Sequence, residues 1–267
     1  MIASQSDLLL GHGTHPGETG KNNEDRYVVK AFRAVEGSET ITLGLVADGI
    51  GGHRAGEVAS GLAVDTLLAV FDRSAERDYL ALLTSAVGEA ARVIAERAKA
   101  HPDYHGMGTT CAIAFVAGRR LYTAYLGDSR LYLMRNGKLQ QTSVDHTWMQ
   151  AAIEHNLITR EEARHHPNRH VVLRHLGDDP DEQPDFRLRL SDDETPEQSK
   201  ENQGLELGRK ETVLVCSDGL TDVVEDEVIA RVLAGRAPQA AVDELIHLAR
   251  EGGGPDNITV IVMRVPG

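Results

Sequence analysis

The sequence predicts an α+β fold, and three observations predict it. Short β-branched and aliphatic runs crowd the middle of the chain, with one sharp hairpin signal among them. Long segments of helical period lie before and after these runs and do not alternate with them. Several apolar runs stop at an aspartate beside a glycine. Hairpin-linked strands with segregated helices belong to the α+β class, because parallel strands would need a crossover between each pair.

Taken in order, residues 26–32 read as the first strand. Residues 41–47 form an aliphatic run that stops at Asp48-Gly49, followed by Ile50-Gly51-Gly52: a buried strand ending in a tight turn. Between Gly56 and Phe71 the residues Val58, Leu62, Leu67, Leu68 and Phe71 recur at a helical period. A second helix covers 78–100, with Leu80, Leu83, Val87, Ala91, Ile94 and Ala98 on one face, and His101-Pro102 ends it. Four strands follow, at 110–117, 121–126, 131–135 and 138–142. Asn136-Gly137 joins the last two, since both central positions of a type I′ turn need positive φ.

Helices return after Asp145, where Thr159-x-x-Glu162 has the form of a capping box. The polar, acid-rich stretch 191–204, which contains Pro196, reads as a solvated loop. A strand at 212–216 reaches Ser217-Asp218-Gly219, helices near 225–233 and 239–250 follow, and a strand at 258–265 comes last. No repeat of solenoid period is present. The 267 residues therefore read as one domain, 1–267, with a core from about 11 to 265.

Composition narrows the function. A formal net charge of -13 disfavours nucleic acid or an anionic membrane as partner. An acidic protein that handles phosphate needs local cations, and bound metal ions are the obvious supply. No apolar run approaches the roughly 20 residues of a membrane-spanning helix. Residues 1–10 lack a basic leader, so neither membrane insertion nor a signal peptide is expected, and the cytoplasm is the expected location. Cys111 and Cys216 lie inside apolar runs and are expected to pack as small hydrophobes.

The chemistry lies in where carboxylates fall. Asp48, Asp128 and Asp218 each end an apolar run beside glycine; Asp256 sits in Gly254-Pro255-Asp256-Asn257, and Glu24-Asp25 precede the first strand. Any one Asp-Gly is commonly just a turn. Together, converging strand ends would gather carboxylates that repel one another unless protons or hard divalent ions intervene.

In order along the chain stand Asn22-Asn23-Glu24-Asp25, Ala47-Asp48-Gly49-Ile50-Gly51-Gly52-His53, Gly106-x-Gly108-Thr109-Thr110, Gly127-Asp128-Ser129-Arg130, Ser217-Asp218-Gly219-Leu220-Thr221-Asp222 and Gly254-x-Asp256-Asn257-Ile258-Thr259. Each motif is weak alone. The ordered set resembles the metal-dependent (type 2C) protein serine/threonine phosphatases in their bacterial form, over nearly the whole chain. The resemblance implies a four-layer sandwich of two antiparallel β-sheets flanked by α-helices. It also implies a two-ion Mn2+ or Mg2+ centre, with a weaker third ion.

By the same resemblance Asp48 bridges two ions and Gly49 offers its carbonyl to one. Asp218 and Asp256 hold the other, Glu24 or Asp25 completes the shell, and Asp128 with Asp218 holds the third. Asn257 would orient Asp256 or a bound water. The implied reaction is hydrolysis of phosphoserine and phosphothreonine in proteins by a metal-bridging hydroxide, without a phosphoenzyme. The implied partners are phosphorylated proteins, including a serine/threonine kinase and its substrates, with the enzyme acting as a monomer. A catalytically silent relative is the competing reading, and retention of Asp48, Asp218 and Asp256 argues against it.

Two positions depart from the pattern. Animal relatives place a histidine after the Asp-Gly as acid for the leaving group; Ile50 stands there, and His53 is the candidate substitute. The arginine that grips phosphate in many members is replaced by Gly20, leaving Lys21 as candidate, a point charge without the bidentate fork. A P-loop reading of 11–21 fails, because His15 stands where its first glycine belongs. Six of the twelve histidines fall between His146 and His175 and read as a solvated helical flap, without zinc-ligand context.

Overall fold

The computed structural model describes residues 2–3, 5–33, 39–51, 54–74, 76–159, 162, 166–168 and 170–267. Its strands are β1 (Ile2–Ala3), β2 (Leu9–His15), β3 (Arg26–Arg33), β4 (Thr40–Ala47), β5 (Gly49–Ile50), β6 (Gly108–Thr109), β7 (Cys111–Ala117), β8 (Arg120–Leu126), β9 (Arg130–Arg135), β10 (Lys138–Gln141), β11 (Leu205–Glu206), β12 (Thr212–Cys216) and β13 (Ile258–Arg264). Its helices are α1 (Arg54–Arg73), α2 (Tyr79–Ala100), α3 (Trp148–Glu154), α4 (Pro196–Glu201), α5 (Asp218–Thr221), α6 (Asp226–Gly235) and α7 (Pro238–Glu251).

Alternation along the strands builds the layers. A six-stranded antiparallel sheet runs β1-β3-β4-β7-β8-β11 and a five-stranded one runs β10-β9-β12-β13-β2. In β12, Val213 and Val215 face the other sheet, while Leu214 and Cys216 face α6 and α7. In β13 the division is Ile261 and Met263 against Val260 and Val262. In β4, Val46 turns to the space between the sheets, and Leu43, Leu45 and Ala47 turn to α1 and α2. A strand buried on both faces reads as a continuous apolar run, which is why residues 41–47 show no period of two. Burying each of these side chains contributes about 1.5–3 kcal/mol, so three separate apolar layers hold the sandwich. The structure is the expected α+β arrangement of two antiparallel sheets flanked by helices.

Local signals act where expected. Asn136 and Gly137 adopt φ of 51° and 78°, and β9 pairs with β10 across them. Thr159 and Glu162 exchange the two capping-box bonds, although the residues just beyond them lie outside those described. Cys111 and Cys216 are buried and free. Among the described residues no helix is long and apolar enough to cross a membrane.

Two expectations are corrected. Residues 26–32 are not the first substantial strand, since β2 precedes β3 and pairs with β13 from Leu9↔Arg264 to His15↔Ile258. Its sequence, LLGHGTH, hides it. A Cβ at Gly11 would collide with the backbone at Pro238 and Gln239, so α7 lies directly on the strand where side chains would advertise it. Nor is 191–204 merely a solvated loop. Thr195 and Gln198 form a full capping box that starts α4, and Ser199 is buried. Gln203 then accepts from the Thr123 N–H (2.9 Å) and donates to the carbonyls of Thr123 (3.0 Å) and Phe186 (2.7 Å), pinning the segment to β8. Its polar residues serve hydrogen bonds as well as solvent.

Asp78 caps α2 by accepting from the N–H groups of Leu80 (3.0 Å) and Ala81 (3.2 Å). Asp78→Ala should cost about 1 kcal/mol in urea unfolding; an unchanged midpoint would remove the cap from the helix's stability.

Candidate metal centre

The sandwich delivers its acidic residues on the ends of core strands. Asp48 follows β4, Asp128 occupies the β8–β9 turn, Asp218 opens α5 directly after β12, and Asp25 precedes β3. Asp256 lies two residues before β13.

Hydroxyls fix two of these, Asp48 and Asp25. The Asp48 N–H donates to Thr110 Oγ1 (2.9 Å), and its carbonyl accepts from the Thr110 N–H and Thr109 Oγ1 (both 2.8 Å). Thr110 Oγ1 also meets Ser129 Oγ at 2.7 Å, joining this turn to the one carrying Asp128. Asp25 is 1% exposed, and its Oδ2 accepts from Thr259 Oγ1 (2.6 Å) and Ser217 Oγ (2.8 Å). The serine and threonine of the last two motifs thus serve an aspartate some two hundred residues away.

Other predicted residues have plainer roles. A Cβ on Gly49 would run into the Gly56 backbone, so the turn after Asp48 closes against α1 only with glycine. Glu24 lays a carboxylate oxygen against Gly56 in the first turn of α1. Asn257 is buried: its Oδ1 accepts from the Glu24 N–H (2.7 Å), and its Nδ2 donates to the carbonyls of Pro16 (3.0 Å) and Asn22 (3.2 Å). Its side chain therefore shapes the 16–24 loop, and only its backbone N–H reaches Asp256 (2.8 Å). Lys21 is exposed, and no hydrogen bond or ion pair ties it to another described residue. His53 lies outside the described residues.

The electrostatics show which groups converge. Burial, followed by the charges of Asp25, Asp218, Asp128 and Asp256, pushes the Asp48 carboxyl well above the ordinary range. Burial, then Asp128, Asp222, Asp256 and Asp25, does the same to Asp218. Asp25 rises to about 6, chiefly through burial, against the pull of the Thr259 and Ser217 hydroxyls and with Asp256 adding to the rise. Asp128 rises to about 7 through burial and the neighbouring Asp145. All five predicted aspartates thus share one electrostatic site.

Three residues entered it unannounced. Ligand atoms of His170, Asp218 and Asp222 lie within 4.8 Å of one another, so this flap histidine belongs beside the acidic cluster. Arg130, two residues after Asp128, is held by Asp145, with Nη2 to Oδ2 at 2.7 Å. Arg26 braces the Asn23–Asp25 turn by donating to the carbonyls of Asn23 (3.0 Å) and Asp25 (2.8 Å) while pairing with Glu57 (2.6 Å). The spacing of Asp218 and Asp222, one helical turn apart, was the available signal for the acidic part of the first group.

The donor set fits a divalent cation. Asp25 Oδ1 and Asp218 Oδ1 are buried with no hydrogen-bond partner among the described residues. An unmet buried charged acceptor costs on the order of several kcal/mol. Clustered hard oxygen donors suit magnesium or manganese.

A sequence model for protein phosphatase 2C matches residues 12–249. The chain belongs to the protein phosphatase 2C family. The Mycobacterium tuberculosis serine/threonine protein phosphatase PstP is 39% identical over 220 residues, 82% of this chain. The aligned region is 40% of that relative's length, so this family member spans less than half of it. The serine/threonine phosphatase stp of Listeria welshimeri is 32% identical over 260 residues, covering 94% of this chain and 93% of its own. The catalytic domain of PstP, solved with two manganese ions, superposes with a TM-score of 0.78 at 35% identity, over 97% of this chain and 100% of that one. Stp1 from Staphylococcus aureus gives 0.84 at 29%, over 100% and 98%.

The raised carboxyls set a direction for stability in this phosphatase-family chain. Asp25 and Asp128 keep protons in the folded state at pH values where the unfolded chain has released them, so the folded state binds more protons. Metal-free protein should therefore lose stability as pH rises from about 5 through 7, by roughly 1–3 kcal/mol, and Asp25→Asn should flatten part of that slope. Thermal melts in EDTA across this range check it; stability rising through the same window would contradict the repulsion.

Proposed function

We propose that the chain is a metal-dependent protein serine/threonine phosphatase that hydrolyses phosphoserine and phosphothreonine with water as nucleophile. The observation that carries the reading is the pair of unpartnered buried oxygens, on Asp25 and Asp218, inside a group of mutually repelling carboxylates. In the proposed assignment Asp48, the Gly49 carbonyl, Asp218 and Asp256 would hold the two ions. Asp25 completes the shell in preference to Glu24, because its free oxygen is buried among the other acids. Asp128 and Asp218, with His170 and Asp222 beside them, hold a weaker third ion. Bound Mn2+ or Mg2+ would supply neutralisation of the phosphate dianion and a lowered pKa for water.

The chain's own residues do the rest. Thr109, Thr110, Ser217 and Thr259 hold the ligands against their repulsion. A cleft of about 660 Å³, lined by Asp128 and Asp218 and extending past Gln140, Gln141 and Arg189, leaves room for a peptide beside the ions. Lys21 is the candidate phosphate grip and His53 the candidate acid. The names of the relatives support phosphorylated proteins as substrates. We further propose a cytoplasmic role opposing a serine/threonine kinase, and action as a monomer. The three apolar layers, which link both sheets to their helices, support one domain across 1–267.

Hydrolysis of p-nitrophenyl phosphate and a phosphothreonine peptide should vanish in EDTA and return with manganese or magnesium, not calcium, whose looser coordination acidifies water less. Asp48→Asn and Asp218→Asn should each lower turnover by about a hundredfold or more while preserving the circular dichroism spectrum. Full turnover in EDTA, or near-normal rates in either variant, would overturn the assignment.

Lys21→Ala should raise KM several-fold with little change in kcat if the ammonium holds phosphate equally in ground and transition states. An unchanged KM would make Lys21 an ordinary surface residue.

A further inference from the structure

The turn that carries Asp128 is held by one side chain that the function has not absorbed. Gly127 adopts φ 97°, and a Cβ added there would collide with the Thr110 side chain. Both of its backbone groups go to His146: its N–H donates to His146 Nδ1 (3.2 Å), and its carbonyl accepts the His146 N–H (2.9 Å). His146 is 7% exposed, and its ring stacks on Tyr125 with centroids 5.4 Å apart.

The hydrogen bonds fix the tautomer. Nδ1 accepts a backbone N–H and so carries no proton; the neutral ring's proton is then on Nε2, which donates to Asp185 Oδ2 at 3.1 Å. Asp185 is itself immobilised. Its backbone pairs with Tyr125 in both directions, and its carboxylate accepts from the Arg187 N–H (2.8 Å) and Nε (2.7 Å). Arg174 sends Nε and Nη2 to Glu182 and the Gln183 carbonyl, while its Nη1 lies 3.2 Å from Nε2, a donor–donor contact in this tautomer that leaves Asp185 as the acceptor of the Nε2 proton. On its other side, the His146 carbonyl accepts the Leu173 N–H at 2.7 Å, which anchors the segment that follows His170.

We propose that His146, held in one tautomer by Asp185, is the positioning residue of the Asp128 turn and the joint that links this turn to segment 170–176. A ring that accepts at one nitrogen and donates at the other spans Gly127 and Asp185; no amide side chain does both from this backbone position. Asparagine can place its oxygen near the Nδ1 position but falls short of Asp185. Glutamine reaches Asp185 but leaves the Gly127 N–H unmet. In Asp185→Asn the new amide can donate to Nε2, which releases the other tautomer and turns an N–H toward the Gly127 N–H.

The significance for ion binding rests on the proposed role of Asp128, but the first arm of the test does not. Amide hydrogen exchange of the full chain in EDTA should show residues 127–129 exchanging roughly three- to tenfold faster in His146→Gln and Asp185→Asn, near the native rate in His146→Asn, with 212–216 unchanged in all three. Native protection at 127–129 in both Gln and Asn variants, or equal loss of protection at 212–216, would overturn the proposal. The second arm is manganese titration by calorimetry. The weaker component should lose affinity several-fold in His146→Gln and Asp185→Asn while the tighter one holds. A loosened turn with unchanged manganese binding would uphold the positioning role of His146 and remove Asp128 from the ion ligands.

Discussion

Carboxylates that repel one another have been gathered at the strand ends, two of them, Asp25 and Asp128, buried, and much of the polar architecture answers that repulsion. Asp25 alone is lifted from 3.8 to about 6, a penalty on the order of 3 kcal/mol at neutral pH. Whole-domain stability is typically about 5–15 kcal/mol, so a cluster of such groups would consume much of it without rigid support. The support comes in two kinds. Core strands buried on both faces bring the acids to one place, and hydroxyls at the strand ends hold Asp48 through its backbone and Asp25 through its carboxylate.

The division of labour follows from the reach of each force. Apolar packing is non-directional and places β4, β12 and β13 to within the fit of their side chains. It does not aim a carboxylate. Thr109 and Thr110 aim Asp48 through its backbone, Ser217 and Thr259 aim Asp25 through its side chain, and Asn257 sets the loop that leads to both Glu24 and Asp25. Ser217 and Thr259 satisfy one oxygen of Asp25 and leave the other bare. The bare atoms, Asp25 Oδ1 and Asp218 Oδ1, mark the direction from which a cation completes the site.

This explains what the sequence reveals and what it conceals. Strands 212–216 and 258–265, and the helix at 78–100, are legible because burial imposes a pattern on consecutive residues. The acidic site residues are legible because aspartate beside glycine at a strand end repeats through the chain. Strand β2 is concealed because its inward positions are glycines pressed against α7, and α4 because its residues are spent on hydrogen bonds. Arg26, Arg130, His146 and His170 are concealed for a related reason. Their partners are Asp25, Asp145, Gly127 and Asp222, and no periodicity encodes a bond between one side chain and one distant atom. The Ser217–Asp25 contact spans 192 residues and the Thr259–Asp25 contact 234. Such a pair leaves no local trace in a single sequence.

The two halves of the site differ in what restrains them. Asp25 and Asp48 are held by short side-chain hydroxyls rooted in core strands and in the β5–β6 ribbon. Asp128 is held at one remove, through Ser129 by Thr110 and through Gly127 by a histidine whose own orientation depends on Asp185 and whose carbonyl carries part of the flap. A restraint passed through several hydrogen bonds yields more easily than one made directly, because each link opens at modest cost. The Asp25–Asp48 side is therefore the stiff half of the centre and the Asp128–His170 side the adaptable half. The cleft opens along the adaptable half, past Asp128, His170 and Asp222.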